Sequence, residues 1–473
     1  MDIRKTKILC TIGPATSGVD NLVRLIKTGM DAARINFSHG SHEANAQLIQ
    51  DIRKASEVAE KPISIVQDLQ GPKIRTSKVK DGAVELQDGA EFIITVEDMK
   101  VGNSHKVGTT YKELIDEVKK GNTLLLDDGY IILEVTEITN KDIITKVVKG
   151  GSLKDNKGII APGTKSNAPT LSQKDLKDLE FGLKEGIDAV ALSFVRSERD
   201  IYELRTAMKI YGRSVPVIAK IERSEGYEDI DDIVNEADMV MVARGDLGLE
   251  MPTEEVPLLQ KDIINKCNYY GKRVITATQM LESMISNPRP TRAEASDVAN
   301  AVIDGSDVVM LSGETSVGRY PFDAVDYMSR IIKSVEKKYY SNITNFSDKV
   351  KFSSEHSDAL GWASCKIAEQ IKASAIIAYT SSSFTASNIS KYRPQMPILG
   401  ITQDPHVQRR LSFIWGVKSV LIPESEYNEP DINTIREELL KTDIVSKGDH
   451  VVFVAGLSPK SLSNENTIRI YKV

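Results

Sequence analysis

The chain has 473 residues, 41% hydrophobic and 27% charged, an ordinary balance for a folded protein with room for about three domains. A formal net charge of −6 gives no reason to expect a nucleic-acid or anionic-membrane partner, so an anionic substrate must be held by local positive charge. The three cysteines, Cys10, Cys267 and Cys365, lie far apart in apolar contexts, as buried thiols of a reducing cytoplasm do; the first residues lack the apolar core of a secretion signal, and no uncharged apolar run approaches the ~20 residues of a membrane span.

In chain order, short apolar runs alternate with amphipathic segments. The first strand candidates are Thr6–Gly13, Ala32–Ser38 and Ile63–Leu69. After a long interruption come Ala189–Val195, Val215–Glu222, Met239–Asp246, Arg273–Met280 and Asp307–Gly313. A helical pattern follows nearly every one; between Glu254 and Tyr270, for example, Val256, Leu259, Ile263 and Cys267 recur at helical spacing. Eight near-continuous apolar strands with intervening helices predict an α/β fold built on a closed (β/α)8 TIM barrel rather than an open sheet.

The interruption, from about Gln70 to Pro169, contains AVELQDGAEFIITV, NTLLLDDGYIILEV and DIITKVVKGGSL, alternating segments separated by Asp-Gly and Gly-Gly turns. That pattern predicts a small all-β domain inserted at the catalytic face, where it can close as a lid and exclude water. From near Phe352, a helix over about Glu355 to Ile371 precedes strands at Ala375–Thr380, Pro397–Thr402, Val417–Ile422, His450–Gly456 and Thr467–Val473, a separate C-terminal α/β domain. The expected division is residues 1–69 with 170–345 for the barrel, 70–169 for the β-rich insert and 346–473 for the C-terminal unit.

Polar residues collect at the C-terminal ends of the barrel strands. Arg34, Asn36 and Ser38 end the second and Asp68 the third; Lys220 and Glu222 end the fifth; Asp246 follows the sixth, Thr278 lies on the seventh, and Ser312 and Glu314 follow the eighth. Strand side chains alternate faces, so Lys220 and Glu222 point the same way. Alone, such a pair reads as a surface salt bridge, and polar strand ends that meet water explain any single position. Two long cationic side chains on otherwise apolar strands, gathered with acids on one barrel face, point instead to phosphoryl transfer. Such a site needs positive charge where the transferring group sits and a magnesium anchor beside it.

Several longer motifs occur in one order: KILCTIGPAT near the start, RINFSHG around Arg34, IAKIE ending at Glu222, MVARGDLG (Met241–Gly248), ATQMLESM (Ala277–Met284), PTRAEASDVANAV (Pro290–Val302) and MLSGETSVGRYP (Met310–Pro321). Together they resemble the pyruvate kinase family of bacterial type, over nearly the whole chain. The resemblance implies phosphoryl transfer from phosphoenolpyruvate to ADP, giving ATP and enolpyruvate that is protonated to pyruvate, the last step of glycolysis. It implies that Arg34 contacts the substrate phosphate and Lys220 stabilises charge on the transferring group. Glu222 and Asp246 would be ligands of magnesium, or of manganese in its place. The loop Ala243–Asp246, with Gly245, would receive the substrate carboxylate. Thr278 would complete that side near the face where enolpyruvate is protonated, either as donor or beside a water that relays the proton. Arg75 and Lys157 match nucleotide-side positions, although Lys157 reads equally well as a solvated loop lysine. Family members are commonly homotetramers.

One departure stands out. Many members bind potassium through residues matching Asn36, Ser38, Asp68 and the backbone of Leu69, with a glutamate at the position of Lys73. A lysine ammonium supplies a fixed positive charge, so the expectation is potassium-independent activity with Lys73 as the replacement charge. The alternative is a solvent-facing Lys73 with potassium still bound. In the C-terminal unit, TSSSFTAS (Thr380–Ser387) lies between a strand and a helix. It is either a phosphate cradle or an ordinary polar capping loop. The resemblance makes Thr380, Ser381, Ser382, Ser383 and Thr385 an allosteric pocket for a sugar phosphate or nucleotide. Phe384 stands where binders of a bisphosphorylated sugar often carry a basic residue, which leaves a monophosphate effector open. Lys460 is the nearest candidate for a compensating charge.

Two other readings compete. A dikinase or aldol-type lyase acting on phosphoenolpyruvate or pyruvate would share the barrel. The first needs a phosphohistidine motif that the six histidines do not form, and the second has no use for a nucleotide-closing insert. A non-catalytic sensor would have lost one of Lys220, Glu222, Asp246 or Thr278, and all four are present.

Overall fold

The structure, a computed structural model, describes residues 4–339, 350–352, 355–423, 432–456 and 466–473. Eight strands form the barrel: β1 (Lys7–Thr11), β2 (Ala32–Asn36), β3 (Ser64–Asp68), β4 (Ala189–Leu192), β5 (Val217–Ile221), β6 (Met239–Ala243), β7 (Arg273–Ala277) and β8 (Val308–Leu311). Each pairs in parallel with its neighbour in sequence, and β8 closes on β1. These strands are apolar at nearly every position because both faces are covered. Ile8, Cys10, Ile35 and Ile65 pack outward against the helices, whereas Leu9, Val66, Ile218, Met241, Ile275 and Met310 fill the interior.

The interior cluster has one member from far along the chain. Phe413, 2% exposed, belongs to it and comes from the C-terminal unit. Ser64, the first residue of β3, donates to Arg409 O at 2.6 Å and meets Ser412 Oγ at 3.2 Å, so Phe413 enters at the N-terminal end of the strands. Burying that ring contributes roughly 2–3 kcal/mol.

Between β3 and β4 the chain builds a six-stranded sheet whose longest strands, Ile131–Ile138 and Asp142–Lys149, form an antiparallel hairpin. Alternate residues such as Ile131, Leu133 and Val135 turn inward on Phe92, Ile94 and Leu124, a core separate from that of the barrel. The C-terminal sheet comprises β9 (Ala375–Tyr379), β10 (Ile398–Thr402), β11 (Val417–Leu421), β12 (His450–Ala455) and β13 (Thr467–Lys472), in the order β11-β10-β9-β12-β13 with only β13 antiparallel.

This sheet domain is bolted to the N-terminal face of the barrel. Lys7 Nζ donates to Val417 O at 2.7 Å, Arg409 pairs with Asp188 at 2.9 Å, and Arg393 pairs with Asp307 at 2.8 Å. All three cysteines are buried and free, and burial pushes each thiol up, that of Cys365 to about 12. Among the described residues no helix is long and apolar enough to cross a membrane. Lys460 lies outside the described residues.

Candidate active site at the barrel mouth

The C-terminal strand ends bring the expected residues of β2, β3 and β5 into one ionic network. Asp68, the last residue of β3, is 1% exposed and sits between two cations. Its Oδ2 accepts from Arg34 Nε at 2.6 Å, and its Oδ1 lies 3.2 Å from Lys220 Nζ. Arg34 also donates to Thr11 Oγ1 on β1 at 3.0 Å, which fixes the guanidinium plane. Lys220 Nζ spends its other donors on Glu222 Oε1 at 2.9 Å and Ser193 Oγ at 2.7 Å. The second Glu222 oxygen accepts the Phe194 N–H at 2.7 Å.

Burial is the largest influence on Lys220 and pushes it down, but Asp68 and Glu222 together outweigh burial and hold the ammonium above the ordinary lysine range. Burial pushes Asp68 up; the Lys220 and Arg34 charges bring it below the usual carboxylate range. For Glu222 the balance tips the other way. Burial raises its carboxyl, Lys220 opposes, and the nearby negative charge of Asp246 adds to the net rise. Glu222 and Asp246 line the same cleft between the barrel and the inserted sheet. Two carboxylates facing one gap, one of them raised by burial and by the other's charge, fit a hard divalent cation, which would relieve that repulsion. Each Glu222 oxygen keeps a further lone pair for it.

The sixth and seventh strands deliver a different part. Thr278 was expected on the seventh strand; β7 ends at Ala277, and Thr278 starts a loop in the left-handed region (φ 67°), followed by Gln279 (φ 53°). Two consecutive non-glycine residues there cost on the order of 1–3 kcal/mol each and need outside support. Arg244 supplies it, donating to Thr278 O at 2.6 Å and to Ala277 O at 3.2 Å while paired with Asp297 at 2.7 Å. The strained loop thereby presents Thr278 Oγ1 to the Gly245 N–H at 2.8 Å, at the start of the short helix Arg244–Glu250. Beyond β8, Glu314 is fully buried and accepts from the Leu281 and Ser312 N–H groups, so it ties loops together rather than facing the mouth.

Of the four groups expected around a monovalent cation, three have other partners. Asn36 Oδ1 accepts from the Ser38 N–H at 3.1 Å, Leu69 O accepts from Ser193 Oγ at 2.8 Å, and Asp68 is paired as above. Lys73 lines the cleft beside Glu222 and Asp246, with its Cε against Gly158 of the insert. It is not among the ion-pair partners of Asp68.

Arg75 and Lys157 come together on neighbouring segments at the root of the insert. Arg75 Nη1 donates to Asn156 O at 3.0 Å, and Thr76 N–H donates to Lys157 O at 2.8 Å. The Lys157 ammonium is half-buried and paired with Asp127 at 2.7 Å, unlike a solvated loop lysine. The cleft beneath the insert is narrow, with about 40 Å³ open to water, room for a few molecules. Arg196 holds it shut by donating to Ser166 O and Ala168 O at 2.7 and 2.8 Å, and Arg223 donates to Thr164 O at 3.0 Å.

In the C-terminal unit, Thr380, Ser381, Ser382 and Ser383 form the turn between β9 and the helix Phe384–Ser390, and Thr385 lies in the first turn of that helix. Thr380 and Thr385 are buried, Ser381 is exposed, and Ser383 has φ 72°.

Sequence reasoning missed Ser193 and Arg244. Ser193 follows the end of β4, so the polar-strand-end rule that marked Asp68 and Lys220 applies to it equally. Arg244 lay within a motif already singled out, but its partners Ala277, Thr278 and Asp297 are 33 to 53 residues away and invisible to local spacing.

A family model described as pyruvate kinase, barrel domain, matches residues 3–325, and one described as pyruvate kinase, alpha/beta domain, matches residues 358–471. The pyruvate kinase of Geobacillus stearothermophilus is 43% identical over 474 residues, covering 99% of this chain and 80% of that protein. That of Corynebacterium glutamicum is 43% identical over 468 residues, covering 99% of this chain and 97% of that protein. A crystal structure of a pyruvate kinase from Cryptosporidium parvum superimposes with a TM-score of 0.93 at 38% identity, covering 99% of this chain and 96% of that one.

Proposed function

The chain belongs to the pyruvate kinase family and is a phosphotransferase; from that premise we propose that it transfers the phosphoryl group of phosphoenolpyruvate to ADP, closing glycolysis in the cytoplasm. The observation that carries this reading is the network in which Lys220 and Arg34 converge, through Asp68, beside Glu222.

Arg34 holds the substrate phosphate with an already oriented guanidinium. Lys220, kept protonated by Asp68 and Glu222, sits where negative charge builds on the transferring group and costs no reorganisation there. The bond from phosphorus to the enol oxygen breaks as an oxygen of the ADP β-phosphate bonds to phosphorus. The enolate left behind takes a proton at its methylene carbon on the side of Thr278. The substrate carboxylate is received at the start of the Arg244–Glu250 helix, on the Asp246 N–H and beside the Thr278 hydroxyl that holds the Gly245 N–H. Glu222 and Asp246 would hold magnesium, or manganese, which when bound neutralises phosphate charge and bridges substrate to protein. Arg75 and Lys157 serve the nucleotide. The insert swings outward to admit substrates and shuts to exclude water.

The working division remains 1–69 with 170–345, 70–169 and 346–473, and the assembly a homotetramer. The C-terminal unit takes a phosphorylated effector. Activity is independent of potassium, because Asp68 is already neutralised by two cations and Lys73 adds positive charge nearby. A coupled assay for pyruvate from phosphoenolpyruvate and ADP tests the whole reading. Turnover should require a divalent cation and should be similar in potassium and in buffer free of sodium and potassium. Potassium stimulation of ~10-fold or more would refute the monovalent-ion proposal alone, and absence of pyruvate the reading itself.

A further inference from the structure

The insert leaves the barrel after Leu69 and returns ahead of the helix Gln173–Glu185, and a glycine in the left-handed region marks each leg, Gly71 (φ 69°) and Gly163 (φ 71°). Hinges are the few residues that absorb such backbone changes, so the legs are where the insert turns. One short stretch, the four residues that follow β4, grips both legs.

Ser193 Oγ donates to Leu69 O at 2.8 Å. The outgoing leg then lies flat on the next peptide, since a Cβ on Gly71 would come 3.0 Å from both Phe194 Cδ2 and Ser193 Cβ. Arg196 takes the returning leg. Its Nη1 forks to Ser166 O and Ala168 O at 2.7 and 2.8 Å, and its Nη2 lies 3.1 Å from Asp200, which accepts from Thr170 Oγ1 at 2.5 Å. Between them Val195 is fully buried in the barrel's outer core and anchors the stretch.

The same residues hold the catalytic pair. Ser193 Oγ accepts from Lys220 Nζ at 2.7 Å, and the Phe194 N–H donates to Glu222 Oε2 at 2.7 Å. Phe194 does so from the left-handed region (φ 57°), where an aromatic residue is an outlier that its surroundings must hold. Glu222 holds it on one side and Gly71 on the other, so its backbone is set by the acid and by the hinge at once.

We propose that residues 193–196 couple the insert to the catalytic pair, with Phe194 and Arg196 as positioning residues. Through them the state of the legs sets how Glu222 and Lys220 are presented, and a cation on Glu222 stiffens the legs. The inference rests on the reading of Glu222 as a metal ligand. Coupling is reciprocal, so the metal's effect on the legs measures it.

Hydrogen–deuterium exchange of the full-length protein, read by mass spectrometry over residues 69–76 and 159–170, tests this with manganese, whose binding is counted by EPR of the free ion. Saturating manganese should slow exchange ~5-fold or more in both legs of the parent. Phe194→Gly removes the ring but accepts φ 57° without strain, and should lose the slowing in 69–76. Arg196→Lys keeps a cation beside Asp200 but cannot fork to two carbonyls, and should lose it in 159–170. Both should bind manganese within ~3-fold of the parent. Arg199→Gln, whose side chain is 86% exposed, should behave as the parent. Slowing that persists in both variants, or that vanishes from both legs together in each, would overturn the coupling. A parent that binds manganese without slowing would overturn it too and leave the metal site standing, whereas a parent that binds none would overturn both.

Discussion

The two ends of the barrel treat buried lysines in opposite ways. At the C-terminal ends of the strands, Lys220 has Asp68 and Glu222 within 3.2 Å and titrates above the ordinary lysine range. At the N-terminal ends, Lys7 is equally removed from water, yet its Nζ meets only the Val417 carbonyl, and burial pulls its pKa down to about 8. Asp31 partly opposes that fall, while Arg4 and Lys61 add to it. Burial is common to both, so the direction is decided by whether a carboxylate touches the ammonium. The mouth uses that rule to keep a permanent cation where phosphoryl charge develops. The floor has in Lys7 an ammonium that a backbone oxygen answers, and this leaves it responsive to pH.

Removing the mouth's cation should produce the largest effect. Lys220→Gln is expected to lower kcat on the order of 10²–10³-fold with a smaller change in the KM for phosphoenolpyruvate, read in the coupled pyruvate assay. A loss appearing mainly in KM would mean that Lys220 binds substrate without favouring the transition state. Next comes Thr278→Val, which should slow protonation of enolpyruvate by about 10²-fold. Deuterium entry into the pyruvate methyl group, followed by NMR in D2O, should fall more than phosphoryl transfer does, and equal losses would remove Thr278 from the protonation face.

The smallest effect belongs to the floor. The folded-state pKa of Lys7, about 8, lies below the ordinary lysine value of 10.5, so between those values the unfolded chain binds more protons and stability rises with pH. Relative to Lys7→Met, the parent should gain about 2 kcal/mol in urea unfolding between pH 7 and pH 9.5. A constant difference between the two proteins across that range would show that Lys7 is not desolvated as described.

Much of this was legible in the chain, for identifiable reasons. Barrel strands covered on both sides leave unbroken apolar runs, so all eight were found within a few residues. Alternation put Lys220 and Glu222 on one face, and their side chains meet at 2.9 Å. What escaped depended on partners remote in sequence. Nothing local to Thr278 tells that its loop is left-handed, because the guanidinium holding it there belongs to Arg244. Likewise, Thr380–Ser387 reads as either a phosphate cradle or a capping loop, but that Ser382 and Ser383 border a cavity shared with barrel residues required knowing where the C-terminal sheet docks.

Phe413 sets a timetable for synthesis. The last barrel strand ends at Leu311, but the ring that fills the barrel's lower end is translated roughly a hundred residues later. At ribosomal rates of ~5–20 residues per second, the nascent barrel waits about 5–20 s with an apolar hole at its base. During that interval the incomplete barrel is a natural client for a chaperone. A chain terminated between the two domains would keep that vulnerability for good.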